Sequence, residues 1–158
     1  MASLKDLRRR IRATKSMQQI FKAMRQVAGR LRLDLAQYRA LAAFAQFGSD
    51  LDRATQQQLA RGQRMVEVLK QGQYAPLAIE KQVVILFAGT QGLLDDLPAD
   101  SVRAFEEFLY PWLERRQPQV LAEIREKKEL ADAFRETLTK AITDAKAEFA
   151  AAKGIKAA

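Results

Sequence analysis

The sequence predicts an all-α protein in which a long N-terminal helix continues into a compact helical bundle. Residues 4–44 contain no proline and one glycine, which favours a long helix. Apolar residues recur at helical spacing through most of the remaining sequence. The one segment that suits a strand has no second strand with which to pair. With 158 residues, 48% of them hydrophobic, the protein is long enough for one domain plus an arm.

The N-terminal helix is predicted to begin at Ser3, whose hydroxyl can accept from backbone amides of the first turn, with Asp6 three residues later. Steps of three and four residues then connect an apolar row: Leu4, Leu7, Ile11, Thr14, Met17, Phe21, Met24, Ala28, Leu31, Leu35, Tyr38 and Ala42. From Met17 onward the row is a heptad pattern, which is typical of a helix that packs against another helix. The step from Thr14 to Met17 interrupts that pattern. The sequence therefore predicts one continuous amphipathic helix that ends near Phe44.

The middle of the sequence is predicted to form two more helices. Gly48 and Ser49 end the first helix, and the next is expected to reach about Lys70 with a bend at Gly62. A turn follows at residues 72–76. The five apolar residues of Val83–Phe87 suit a buried strand or a buried helix. The absence of a partner strand favours the helix.

The C-terminal part is predicted to form three helices. Phe105, Phe108 and Trp112 lie on the apolar face of one helix, and Pro111 is expected to end or kink it. Pro118 suits the first turn of a short helix through Ile124. The last helix has an apolar face made by Leu130, Phe134, Leu138, Ile142, Ala145 and Phe149. We predict that the aromatic residues are core, since no basic residues interleave with them as in a base-stacking platform.

The composition excludes several kinds of site. The sequence has no cysteine and no histidine, which excludes disulfides, zinc sites and Ser-His-Asp triads. The longest apolar runs, Ala40–Ala45 and Val83–Ala88, have six residues each, whereas a membrane span needs about 20. We predict no catalytic residue, metal, cofactor or transmembrane segment, and a cytoplasmic location without a secretion signal.

The net charge of +8 is concentrated in the N-terminal part. Residues 1–48 carry eleven basic and two acidic side chains, and residues 49–158 carry sixteen basic and seventeen acidic ones. The arginine cluster at residues 8–12 would attract phosphate backbones or anionic lipid headgroups. The apolar row of the same segment favours packing against protein, and no base-reading pattern accompanies the charges. Nucleic-acid binding by this basic arm is the alternative function, and we expect no specific nucleic-acid partner.

Two long stretches resemble one known family. Gln26–Asp52, QVAGRLRLDLAQYRALAAFAQFGSDLD, and Lys70–Asp96, KQGQYAPLAIEKQVVILFAGTQGLLDD, are similar to the C-terminal helical domain of the F-type ATP synthase alpha subunit. The resemblance covers roughly residues 22–158. It implies a non-catalytic helical module of the synthase head, with the alpha/beta ring and the rotor as partners.

The start of the sequence resembles another subunit of the same machine. Met1–Met24, MASLKDLRRRIRATKSMQQIFKAM, is similar to the N-terminal shaft helix of the gamma subunit, and the run Gln19–Met24 is close to both families. The two resemblances imply a chimera with a gamma-like arm at residues 1–24 and an alpha-like bundle at residues 25–158. A shaft helix needs a partner helix, and nothing in residues 45–158 resembles the gamma partner. The partner-facing row is therefore expected to drive homo-oligomer formation through Leu4, Leu7, Ile11, Met17, Phe21 and Met24.

The resemblance to the alpha subunit also implies a remnant of a nucleotide site. In alpha subunits a Gln-x-Gln-Tyr segment lies beside the adenine of the non-catalytic nucleotide, and Gln71 and Gln73 occupy the matching positions. The sequence has no Gly-rich phosphate loop, so we predict only vestigial, weak adenine contacts. The alpha-subunit arginine that serves a neighbouring catalytic site is replaced by gamma-like sequence. Asp95 and Asp96 are predicted to lie in a solvated loop rather than to form a catalytic carboxylate pair, because adjacent side chains point apart.

Overall fold

Every regular element in the described part of the protein is a helix, which confirms the all-α prediction. The computed structural model describes residues 22–29, 31–46, 51–72 and 74–154. The helices are α1 Lys22–Ala28, α2 Leu31–Ala45, α3 Arg53–Val68, α4 Ile79–Thr90, α5 Val102–Arg116, α6 Pro118–Lys127 and α7 Asp132–Lys153, with a 3-10 turn at Ala99–Ser101.

The predicted continuous N-terminal helix is divided in the part that the structure describes. The helix α1 ends at Ala28 and α2 begins at Leu31, so the only glycine of the stretch lies at the break. Glycine disfavours the helical state by about 1 kcal/mol relative to alanine, which makes Gly29 the weakest point of the helix. Ala28, Leu31 and Leu35 are all buried. The heptad pattern thus identified the buried face correctly and missed the interruption. The portion of this prediction before residue 22 lies outside the described residues.

The helix α4 forms the centre of the bundle. Its buried residues are Glu80 and the whole run from Gln82 to Gly89, and it contacts α1, α3, α6 and α7. A helix that is apolar on all sides is stable when other helices surround it. The helical prediction for Val83–Phe87 is confirmed.

The helices α5 and α7 pack through aromatic side chains. The ring centroids of Phe105 and Phe149 lie 5.4 Å apart in an edge-to-face arrangement, and Phe108 lies 5.5 Å from Phe149. Phe105, Phe134 and Trp112 are buried, and Phe108 is half-buried against the same core. The predicted apolar face of the last helix is buried along its whole length. The core prediction for these residues is confirmed.

The two prolines have different effects on their helices. Pro111 was expected to end or kink its helix, and α5 does not end there but continues to Arg116. The turns on either side are held by the buried side chains of Leu109 and Leu113, so packing keeps the helix intact across the missing backbone donor. Pro118 begins α6 as predicted, and that helix runs past Ile124 to Lys127.

Gly62, where a bend was predicted, lies inside the continuous helix α3 and has a packing role. A Cβ at Gly62 would overlap the Cβ, Cγ and Cδ2 atoms of Tyr38 from α2. A Cβ at Gly89 of α4 would likewise overlap the Sδ atom of Met65 from α3. Each glycine therefore admits a side chain of the preceding helix against its backbone.

Candidate functional site

The first described helix is fixed to the segment between α6 and α7. The backbone amide of Ala23 donates to the carbonyl of Lys128 at 2.7 Å. The side-chain amide of Gln26 donates to the carbonyl of Leu130 at 3.1 Å and accepts from its backbone amide at 2.8 Å. A glutamine amide that donates and accepts at once mimics a strand-like backbone pair. The helix α1 is therefore part of the bundle.

The structure describes one of the residues predicted to form the partner-helix interface. Met24 is 0% exposed in the core, beside Ala23 and Val27, so the bundle itself covers this side chain. The bundle thus includes residues from the range 1–24 that was assigned to the arm. The other predicted interface residues lie outside the described part: Leu4, Leu7, Ile11, Met17 and Phe21.

The predicted adenine contacts fall in the turn between α3 and α4. The Nε2 atom of Gln71 donates to the carbonyl of Ala75 at 2.5 Å, so the turn itself uses this amide. Tyr74 is 85% exposed and has a left-handed backbone with φ of 58°. Gln73 lies outside the described residues. The described part of the turn thus shows one of the two amides, already hydrogen-bonded within the turn.

Asp95 and Asp96 bind two different cations. The Oδ2 atom of Asp95 accepts from Arg61 Nε at 3.0 Å and from Nη2 at 2.5 Å, whereas both oxygens of Asp96 accept from Lys146 Nζ at 2.7 Å. The hydrogen bond to Asp95 raises the pKa of the Arg61 guanidinium above its ordinary value. The two carboxylates tie the turn after α4 to α3 and α7. They are ion-paired rather than freely solvated, and they point apart as predicted.

The same turn requires a glycine. Gly92 has φ of +74°, a backbone conformation that residues with a Cβ rarely adopt. A Cβ there would lie 2.5 Å from Arg61 Nη2 and 2.9 Å from Asp95 Oδ2. Gly92 therefore leaves room for this ion pair.

A cleft of about 290 Å³ lies beside the Arg61 ion pair and is lined by residues of α1, α2, α3 and α4. Asp34, Gln58 and Thr90 line it with polar groups, and Leu41 and Met65 add apolar surface. In the described part of the protein, no three acidic side chains converge as a metal site would require. The cleft offers hydrogen bonds and apolar contact.

An ion pair between the buried Glu80 and the exposed Arg125 joins α4 to α6. Glu80 lies in the first turn of α4, and its Oε1 atom accepts from Arg125 Nε at 3.2 Å and from Nη2 at 2.5 Å. Burial disfavours the charged carboxylate, but the hydrogen bonds from Arg125 and from the backbone amide of Glu80, with the charges of Arg125 and Lys81, outweigh burial. The pKa of Glu80 is therefore lowered from its ordinary value of 4.5.

We expect the variant Glu80→Gln to be less stable than the parent protein at neutral pH. A carboxyl with a pKa lowered by folding stabilises the fold above its unfolded pKa, and this contribution is lost as the pH falls through the folded pKa. The difference in Tm should therefore be largest above pH 4.5 and should vanish in more acidic solution. Thermal melts across this range test it, with the exposed Glu136→Gln as control. A difference that persists in acid would mean that charge is not the cause.

Sequence reasoning missed the contacts of Gln26 and Arg61. Their partners, Leu130 and Asp95, lie 104 and 34 residues away in the sequence. One signal pointed to the region around Arg61, because a glycine inside a helix, such as Gly62, is costly unless packing requires it. No comparable signal marked Gln26.

No helix among the described residues has the length and apolar character needed to cross a bilayer. The sequence pattern of the family described as ATP synthase alpha/beta chain, C terminal domain, matches residues 19–145. The match begins at the run Gln19–Met24 and does not include residues 1–18, for which the gamma-like resemblance stays a prediction. The match spans most of the length of the protein, and the protein therefore belongs to the family of ATP synthase alpha/beta C-terminal domains.

Proposed function

We propose that this protein is a non-catalytic subunit-interaction module of, or derived from, the ATP synthase head. The observation that carries the proposal is the family match over residues 19–145, which corresponds to a C-terminal domain. Synthase subunits of the alpha/beta ring and the rotor are the partners that the resemblance implies. The proposal places the protein in the cytoplasm, peripheral to the membrane when it is assembled.

The non-catalytic part of the proposal is supported by the chemistry of the side chains. The sequence has no phosphate loop, whose backbone amides and lysine would hold a nucleotide. The two adjacent carboxylates in the turn after α4 are already used, since Asp95 binds Arg61 and Asp96 binds Lys146. A general base needs a carboxylate or imidazole within reach of a reacting proton. The sequence has no histidine, so no imidazole is present to act as a base.

The purified protein is expected neither to hydrolyse ATP nor to bind it tightly. Calorimetric titration with Mg-ATP and a phosphate-release assay measure the two properties. The variant Gln71→Ala serves as a matched control and should behave as the parent protein does, because its amide is bonded within its own turn. Low-micromolar binding, or release of phosphate above background, would contradict the proposal, and loss of that binding in Gln71→Ala would assign it to this turn.

The N-terminal segment is expected to associate with a second copy of the protein. Leu4, Leu7 and Ile11 form an apolar row, and a contiguous exposed apolar surface is unusual on a monomer. An antiparallel pair would separate the arginine clusters at residues 8–12 of the two copies, whereas a parallel pair would bring them together.

Light scattering on the full-length protein and on a version without residues 1–21 measures this association. The deletion stops at residue 21 because Ala23 and Met24 belong to the core. We expect a dimer for the full-length protein and a monomer for the shortened one. A monomeric full-length protein, or a dimer that survives the deletion, would show that the arm is not the interface.

Nucleic-acid binding through the basic arm is the alternative. The arginine cluster at residues 8–12 is the feature that favours it. Phosphate binding weakens steeply as salt rises, whereas packing of apolar helix faces does not. A salt titration of DNA binding, beside light scattering at the same salt concentrations, separates the two. Tight, sequence-selective DNA binding at physiological salt would favour the alternative.

A further inference from the structure

The helix α2 carries an apolar surface on the side opposite the core. Its inner side is held by the buried Leu31 and Leu35. Leu33 and Phe44 are each 59% exposed, and the alanines at 36 and 40 between them are exposed too. Residues spaced by three, four and seven positions fall on one side of a helix, so these four side chains form a single outer face. A helix with apolar residues on both sides is normally covered on both.

The shape of this outer face suits another helix. Leu33 and Phe44 stand eleven residues apart, or roughly 16 Å at the rise of an α-helix. The alanine side chains between them are small, so a neighbouring helix could approach closely. Tyr38, packed against Gly62, fixes α2 to α3 from beneath. The face is therefore presented on a rigid support.

Charge indicates what kind of helix fits. Arg32 and Arg39 lie along one edge of the outer face, both exposed, and within the described residues neither has an ion-pair partner. Asp34 is the only acidic residue of α2. A covering helix with lysines or arginines at its edge would be repelled, and this disfavours the protein's own basic N-terminal segment as the occupant. A helix with carboxylates at that edge would pair with both arginines.

We propose that the outer face of α2, made by Leu33, Ala36, Ala40 and Phe44 with Arg32 and Arg39 at its edge, docks an acidic amphipathic helix of a partner protein. The inference rests on the proposed function, for which it supplies a surface and a partner chemistry. Apolar contacts would provide affinity at the centre, and the two arginines would set the orientation and choice of partner.

The test uses the full-length protein and a fluorescent synthetic amphipathic peptide with leucines on one face and glutamates at its edges. A second peptide carries lysines in place of the glutamates. We expect the acidic peptide to raise the fluorescence anisotropy and the basic one to have no effect. Arg39→Glu should weaken the binding of the acidic peptide by about tenfold or more and allow the basic peptide to bind. Phe44→Ala should weaken the binding of the acidic peptide.

The exposed Lys140→Glu on α7 changes the net charge by the same amount and is the matched control. Equal loss in Arg39→Glu and Lys140→Glu would overturn the proposal, because binding would then follow net charge or the basic arm. Absence of binding at millimolar acidic peptide would overturn it as well. The proposal would also be overturned if the protein bound phosphatidylserine vesicles at least as tightly as the acidic peptide and if Phe44→Ala abolished the vesicle binding. The proposed function has its own test: tight binding or hydrolysis of ATP would contradict it, whatever the result with the peptides.

Discussion

Replacing Phe105 with alanine is expected to lower the free energy of unfolding by about 3 to 5 kcal/mol, the range for truncation of a buried aromatic side chain. Phe105 is 0% exposed, and its ring contacts Phe149 edge to face at 5.4 Å between centroids. The change removes this contact and leaves a cavity between α5 and α7. For a domain of this size the loss corresponds to a fall in Tm of roughly 6 to 20 °C.

Urea unfolding followed by circular dichroism measures the change. Phe44→Ala is the matched control, because it removes the same ring from a position that is 59% exposed. A surface substitution of this kind changes stability by about 0.5 kcal/mol or less. Similar losses in the two variants would mean that the core between α5 and α7 has been placed wrongly.

Replacing Gly62 with alanine is expected to destabilise the protein by about 1 to 3 kcal/mol, as overpacking of a core does. In an ordinary helix the same change would add about 1 kcal/mol of stability, because alanine favours the helical state. Here the added methyl group would overlap three atoms of Tyr38, including its Cβ, so α2 itself must shift away from α3.

A second substitution reverses the sign of this effect. In a protein that already carries Tyr38→Gly, which removes the Cβ as well as the ring, the space above Gly62 is open, and Gly62→Ala should stabilise by up to about 1 kcal/mol. The four proteins form a double-mutant cycle that urea unfolding can measure. If Gly62→Ala has the same effect in both backgrounds, Tyr38 is not the reason for the glycine.

The buried faces of the helices were predictable because helical periodicity reports directly on burial. Phe134, Leu138 and Phe149 recur at that spacing and are buried in α7. The helix breaks were less predictable. Gly29 and Pro111 both disfavour a helix locally, yet only the break at Gly29 is real. Packing on both sides of Pro111 outweighs its local cost, and packing depends on distant parts of the sequence that a single segment does not reveal.

The candidate site was less predictable than the fold. Gln71 was singled out for its place in a motif, and its amide bonds to Ala75 within the same turn. That the side chains of Asp95 and Asp96 point apart could be predicted from their adjacency in the sequence. Their partners could not be predicted, because Arg61 and Lys146 are 34 and 50 residues away. Contacts at such separations are properties of the assembled bundle.

The attachment of α1 to the segment after α6 has a consequence for synthesis of the protein. Gln26 and its partner Leu130 are separated by 104 residues. At ribosomal rates of about 5 to 20 residues per second, α1 would be made roughly 5 to 20 s before Leu130. During that interval Ala23 and Met24, both fully covered in the finished protein, lack part of their cover. The N-terminal end of the bundle thus presents apolar surface to other molecules until the segment after α6 has been made.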